Sequence, residues 1–164
     1  MQSIVLVVHN VRSTHNVGSI MRTAEGLGIK LVYLTGYTPY PFAKADRRLP
    51  HISQKIDRQI AKTALGAEKL VKWKHRQNVA HLLKKLAEEG FVLTALEQTS
   101  ESISLVDYKP RSKIALLVGS EIGGIGKDVL DLCDVHLHIP MAGRKESFNV
   151  AVATGIALYQ LRYG

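Results

Sequence analysis

The sequence predicts an α/β fold: a parallel sheet with helices on both faces. Two observations carry that reading. Short runs such as "SIVLVV" and "KIALLVGS" are apolar throughout, as strands are when both of their faces are buried. Longer stretches between them place apolar residues three and four apart, and strands separated by helices pair in parallel.

In chain order, "SIVLVV" is the first strand. "NVGSIMRTAEGLG" is a helix with Val17, Ile20, Met21, Ala24 and Leu27 on one face and Gly28 as its stop. "KLVYLT" is a strand, "GYTPYPF" a loop and "QKIDRQIAKTAL" a helix. Trp73, in "VKWKHR", is expected to anchor its segment to the core; stacking on a base is the alternative. "NVAHLLKKLAEEG" is an amphipathic helix that ends in glycine. "FVLTALE" and "KIALLVGS" are strands, "GKDVLDLC" a helix and "VHLHIP" the last strand. A closing helix begins near Ser147. There is no internal repeat or linker, so residues 1–164 are expected to form a single domain.

Composition narrows the class. The hydrophobic fraction is 46% and the charged fraction 22%, ordinary for a globular chain. Cys133 is the only cysteine, which rules out an intramolecular disulfide and fits a reducing cytosol. "MQSIVLVVHN" lacks the charged start and apolar length of a signal peptide, and no stretch nears the ~20 apolar residues of a membrane span. A cytoplasmic protein without a membrane partner is expected.

The net charge is +8, but its placement says more. Residues 44–85 hold twelve basic and three acidic residues, net +9, which leaves −1 for the rest of the chain. Such a segment suits a polyanion, with a merely solvated face as the alternative. Arg47, Arg48, Lys55, Arg58, Lys62, Lys72, Lys74 and Arg76 are its candidate contacts.

Several stretches could carry chemistry. "LLVGSEIGGIG" runs from a strand into a glycine-rich turn, yet it fails both nucleotide-loop patterns. Ile125 stands where a phosphate-binding lysine would follow Gly124, and G-x-G-x-x-G is absent. In "HNVGSIMRTAEGLG", Asn16 and Arg22 flank Gly18, and Arg22 beside an apolar face needs an anionic or carbonyl partner. A local carboxylate, Glu25 or Glu121, is the simplest partner. His136 and His138 alternate on one strand face, but no third ligand matches them and no metal is expected. A hydrolase triad cannot be assembled from the spacing.

Three stretches together resemble the SPOUT superfamily of RNA methyltransferases, in its SpoU (TrmH-like) 2′-O-ribose branch. "NVGSIMRTAEGLG" is similar to the first motif of that family, N-x-G-x-x-x-R. "LLVGSEIGGIG" is similar to its second, and "IPMAGRKESFNVAVATGIALYQL" to its third, I-P-M-x-G-x-x-x-S-[LMF]-N-V. They occur in the family's order across nearly the whole chain. Phe148 stands where leucine or methionine is usual.

The resemblance implies a deep C-terminal trefoil knot, an exception to the rule against threaded chains. Gly119, Gly123, Gly124 and Gly143 would permit its close crossings. It implies S-adenosylmethionine in a pocket formed by Leu96, Gly119, Ile139, Met141, Ser147, Phe148 and Asn149. It also implies a homodimer with the site at the subunit boundary and the closing helix in the interface, through Val150, Ala153, Gly155, Ala157 and Leu161. RNA, transfer or ribosomal, would lie on the basic segment, with no separate RNA-binding domain. Arg22 would clamp the phosphate beside the target ribose, since a guanidinium holds its proton. Asn16 would orient the ribose or Arg22, Glu121 and Ser147 would hold Arg22 and the motif loops, and Asn149 would line the pocket. The base would be the phosphate, a water or a perturbed Arg22. Methylation of an RNA base, or RNA binding without catalysis, are the alternatives.

Overall fold

The computed structural model describes residues 2–164. Its strands are β1 (Ser3–His9), β2 (Leu31–Thr35), β3 (Trp73–Arg76), β4 (Val92–Leu96), β5 (Ile103–Ser104), β6 (Lys113–Val118) and β7 (Val135–His138). Its helices are α1 (Thr14–Gly26), α2 (Pro50–Ala64), α3 (Ala67–Leu70), α4 (Val79–Glu88), α5 (Lys127–Leu130) and α6 (Val150–Tyr163). The strands form one sheet in the order β3-β2-β1-β6-β4-β7-β5, and every pairing is parallel.

All five expected strands are present. Two more, β3 and β5, carry too little apolar sequence to announce themselves, because edge strands bury less side chain. Trp73 sits half-buried on β3 against the core, in the anchoring role. Helix α2 begins earlier than expected, at Pro50, whose fixed φ suits a first helical position. Helix α5 is only one turn long.

The central strands show why the sheet is buried on both sides. Residues 4–8 of β1 and 114–118 of β6 are all at most 5% exposed. Alternate residues face opposite layers. Ile4, Leu6 and Val8 meet α1, α2 and α6, whereas Val5 and Val7 meet α4 and α5. Helices α1 and α2 approach so closely that a Cβ at Gly18 would collide with the Ile60 carbonyl and the Thr63 hydroxyl. Helix α6 closes this layer, and Arg162 fastens its end. The guanidinium donates to the carbonyls of Gln2, Leu27 and Gly28 at 2.8–3.2 Å.

Helix α6 corrects two expectations. It starts at Val150, not near Ser147, with Asn149 as its N-cap; Asn149 Oδ1 accepts from Ala151 N at 2.9 Å. Ala157 and Leu161, expected in a subunit interface, are at most 1% exposed inside their own chain. Val150, Ala153 and Gly155 are half-buried. The outward apolar face is instead Val152, Ile156, Tyr159 and Tyr163. Small residues read as interface in the sequence were needed where α6 packs on α1 and the sheet.

Among the described residues, no helix is long and apolar enough to cross a membrane.

Candidate functional site

The strand order turns at β1 and β6: β2 and β3 lie to one side, β4, β7 and β5 to the other. In open α/β sheets, ligands collect beyond the carboxyl ends of the strands at such a point. A cavity of about 810 Å³ lies there, bounded by the ends of β4, β6 and β7 and the entry to α6. Leu96, Gly119, Ile139, Met141, Ser147, Phe148 and Asn149, all seven of the residues assigned to the pocket from the sequence, line it.

The glycine turn after β6 forms one wall. A Cβ at Gly119 would strike the backbone of Gly124, and Gly124 takes the left-handed φ of +61° while pressed against the Glu97 carboxylate. Gly123 and Gly143 are different: a Cβ at either would meet open space, so neither is a site of close crossing. Glu97 itself was missed. Its Oε2 accepts from Ile125 N at 2.9 Å, which ties the end of β4 to the turn after β6. An acidic residue at the end of a buried strand was the signal that could have found it.

A polar chain joins the glycine turn and the entry to α6 to helix α1. Glu121 Oε1 accepts from Asn16 Nδ2 at 2.9 Å, and Asn16 Oδ1 accepts from Asn149 Nδ2 at 3.2 Å. The backbone N–H groups of Arg12 and Ser13 also donate to Glu121. Burial pushes the Glu121 carboxyl up, but the hydrogen bonds from Asn16, Arg12 and Ser13 outweigh it and hold the group below the usual range. Residues more than a hundred positions apart in sequence thus meet at one point.

Arg22 is not part of this chain. It lies exposed on α1, lines neither wall of the cavity, and has no carboxylate or hydrogen-bond partner among the described residues. Glu121, expected to hold it, is committed to the start of α1 instead. Among the described residues, no lysine or arginine lines the cavity. Ser147 lies exposed on the rim, and its side chain has no hydrogen-bond partner among the described residues.

The basic segment also divides. Arg48 is a structural residue, not a free contact. It ion-pairs with Asp46, donates to the carbonyls of Tyr40 and Pro41 at 3.0 and 3.1 Å, and lies 3.6 Å over the Tyr40 ring. The Arg48 guanidinium holds the Asp46 carboxyl at about 2. The other seven candidates are exposed. Lys55, Arg58 and Lys62 recur on the outer face of α2. Lys74 and Arg76 alternate with Trp73 and His75 on β3, so they point to the opposite side of the sheet. The eight cations do not share one surface.

His136 and His138 are engaged by the 99–102 loop. Leu130 O accepts from His136 Nε2 at 3.1 Å, which leaves Nδ1 to accept from the Thr99 hydroxyl at 3.2 Å. Ser102 Oγ donates to Thr99 O, so it accepts from His138 Nδ1 at 3.0 Å. Burial pushes the lone Cys133 thiol up to about 12, which keeps it protonated and unreactive.

These loops belong to a known family. Residues 3–159 match the SpoU rRNA Methylase family. The chain is 32% identical over 158 residues, 96% of its length, to the 23S rRNA (guanosine-2′-O-)-methyltransferase RlmB of Ralstonia nicotianae. It spans only 57% of that relative. A structure reported for 2-OH methylation of C/U34 on tRNA superposes with a TM-score of 0.77 at 26% identity, covering 96% of this chain and 93% of the other. The AdoMet-bound rRNA methyltransferase of Sinorhizobium meliloti shares the fold, with a TM-score of 0.81 at 24% identity over 99% of this chain and 58% of that one. With its second and third motif stretches lining one cavity and a match over nearly its whole length, the chain belongs to the SpoU rRNA Methylase family.

Proposed function

We propose that the chain is an S-adenosylmethionine-dependent RNA methyltransferase acting on a ribose 2′-hydroxyl of transfer or ribosomal RNA. The observation that carries this is the cavity itself. Loops after β4, β6 and β7 converge on it, and its edge is joined to Asn16 through Glu121 and Asn149. The residues fit the cofactor. Leu96, Ile139, Met141 and Phe148 give apolar walls for an adenine ring, while backbone groups of the same loops read its edge. The volume of about 810 Å³ suits a nucleoside-sized ligand.

When bound, the cofactor supplies an activated methyl group on a cationic sulfur. The chain's task is to position a weak nucleophile. Asn16, fixed between Glu121 and Asn149, orients the ribose hydroxyl. Arg22 grips the adjacent phosphate and keeps its own proton. The hydroxyl proton passes to the phosphate or to water.

Arg22 fits this role through a second copy of the chain. It is exposed on α1 with no partner among the described residues, and none of those that line the cavity is lysine or arginine. A homodimer through Val152, Ile156, Tyr159 and Tyr163 would cover an apolar groove of about 400 Å³ formed by Leu105, Val106, Ile139 and Pro140 against α6. The same reading includes the trefoil knot, a single catalytic domain and a cytoplasmic location. Support for the knot comes from the fold's likeness to a TrmH/SpoU tRNA modifying enzyme and from the glycine turn and the α6 entry lining one cavity.

The test is direct. Calorimetry should detect S-adenosylmethionine, and RNA labelled by the protein should release a 2′-O-methylated nucleoside on digestion. No cofactor binding, or a methyl group on a base, would overturn the proposal.

A further inference from the structure

Beyond the cavity, one rim is built with unusual care for a surface loop. Asn10 has φ +56°, a left-handed conformation that asparagine tolerates better than most residues. Its side chain is held at both ends: Oδ1 accepts from Tyr37 N at 3.2 Å, and Nδ2 donates to His9 Nε2 at 3.1 Å. His9 Nδ1 in turn donates to the Thr35 hydroxyl at 3.0 Å, because that hydroxyl gives its proton to Val8 O. The effect is to fix the backbone of Tyr37 against the end of β1. Tyr37 nevertheless stands in solvent, 53% exposed as a residue.

Arg12 is fixed in the same way and just as open. Its backbone N–H donates to Glu121 Oε2 at 3.3 Å, on the carboxylate that also holds Asn16. Its guanidinium lies 5.5 Å from the centre of the Tyr37 ring and has no carboxylate partner among the described residues. An exposed ring and an unneutralised cation, both on anchored backbone, thus adjoin the Asn16–Glu121–Asn149 chain.

We propose that Tyr37 and Arg12 form a subsite for one unpaired RNA nucleotide flanking the methylated one. Its base stacks on the open face of Tyr37, and its phosphate is gripped by Arg12. The chemistry suits single-stranded nucleic acid: an aromatic face accepts any base, and an arginine fork matches a phosphate. This subsite rests on the RNA-methyltransferase reading for its substrate, but its position comes from the rim alone. It gives the enzyme a means to fix the register of the strand at the cavity, which the dispersed cations of residues 44–85 cannot do.

The experiment uses the full chain and a single-stranded oligouridylate containing 4-thiouridine. Ultraviolet cross-linking, trypsin digestion and mass spectrometry should place the adduct on Tyr37, in the peptide of residues 31–44. Tyr37→Ala should weaken binding about 5- to 100-fold and Tyr37→Phe much less. Arg12→Gln should weaken binding and lower the salt slope by about one. Calorimetry with S-adenosylmethionine should be unchanged in all three variants. Adducts confined to α2, or unchanged RNA affinity in Tyr37→Ala, would overturn the subsite while leaving methylation intact. Adducts on Tyr37 in a protein that methylates no RNA would uphold the subsite and refute the catalytic reading. A wild-type chain that binds no RNA would remove both.

Discussion

The cavity and the basic segment at residues 44–85 are both rich in polar groups, but the fold treats those groups differently. Around the cavity, Glu97, Glu121, Asn16 and Asn149 each have a fixed partner on a different loop. In the basic segment only Arg48 is enclosed and fastened by several partners; the lysines and arginines of α2 stand in solvent without acidic partners among the described residues. Fixed partners define directions in space, which positioning a reacting hydroxyl requires. Free cations provide a field, which attracts a polyanion without choosing its register. The two regions divide the work between aim and attraction, and substitutions can test that division.

The largest effect is expected at Arg22. Arg22→Ala should lower turnover by about 100-fold or more, the scale of losing one well-placed charge contact. Calorimetry with S-adenosylmethionine should give the wild-type affinity, because Arg22 lines no part of its own chain's cavity and its proposed contact is the RNA phosphate. Full turnover in this variant would remove the residue from the mechanism. Glu121→Gln comes next. An amide keeps the shape but no longer accepts from three N–H groups equally well, so Asn16 is released. Turnover should fall about 10- to 100-fold, with little change in RNA affinity. A change confined to RNA affinity would instead place Glu121 on the attraction side of the comparison.

Stability measurements sharpen the contrast inside the basic segment. Arg48→Ala should cost about 1–3 kcal/mol, because the Tyr40 and Pro41 carbonyls and Asp46 lose a charged donor. Replacing Lys55, Arg58 and Lys62 together by alanine should change stability by less than about 0.5 kcal/mol for each. The same triple variant should lower the salt slope of RNA binding by about 2–3. Equal destabilisation in the two cases would erase the distinction between the structural arginine and the free cations.

The smallest effect is on acid stability. His9 is held below its ordinary value by burial, despite the opposing pull of Asp128, and Glu121 is also lowered. The unfolded chain therefore binds more protons, and stability rises with pH. The His9 contribution is complete above its usual 6.5 and fades as pH falls below it; that of Glu121 is complete above 4.5 and fades below that. Urea denaturation midpoints should decline across both ranges, and His9→Asn should flatten the upper one. A midpoint that rises on acidification would contradict this sign.

Legibility in the sequence followed the same divide. The buried strands were visible because parallel pairing demands uninterrupted apolar runs. The pocket loops were legible only through the resemblance of their motifs to a known family, and all seven residues it assigned line the cavity. Beta-strand β3 was hidden because half of its side chains are charged and face solvent. Arg48 was misread because a count of charges does not reveal which cation has a carboxylate two residues away folded back on it. Arg22 was expected to need a partner such as Glu25 or Glu121, but it stands exposed on α1, where water serves it, and Glu121 is committed to the start of that helix.

By itself, the sequence determined the layers of this protein and the order of its elements along the chain, while the residues around its cavity were named through the resemblance of its motifs. Local spacing and apolar runs specify the layers and elements, since they depend on neighbours along the chain. Only the tertiary structure decided which polar groups are bound and which are free. That depends on partners such as Glu121 and Asn16, or Arg162 and Leu27, which are over a hundred residues apart and meet only when the sheet is complete. Burial then turns each meeting into a fixed direction, because a polar group taken from water must find its partner or lose stability.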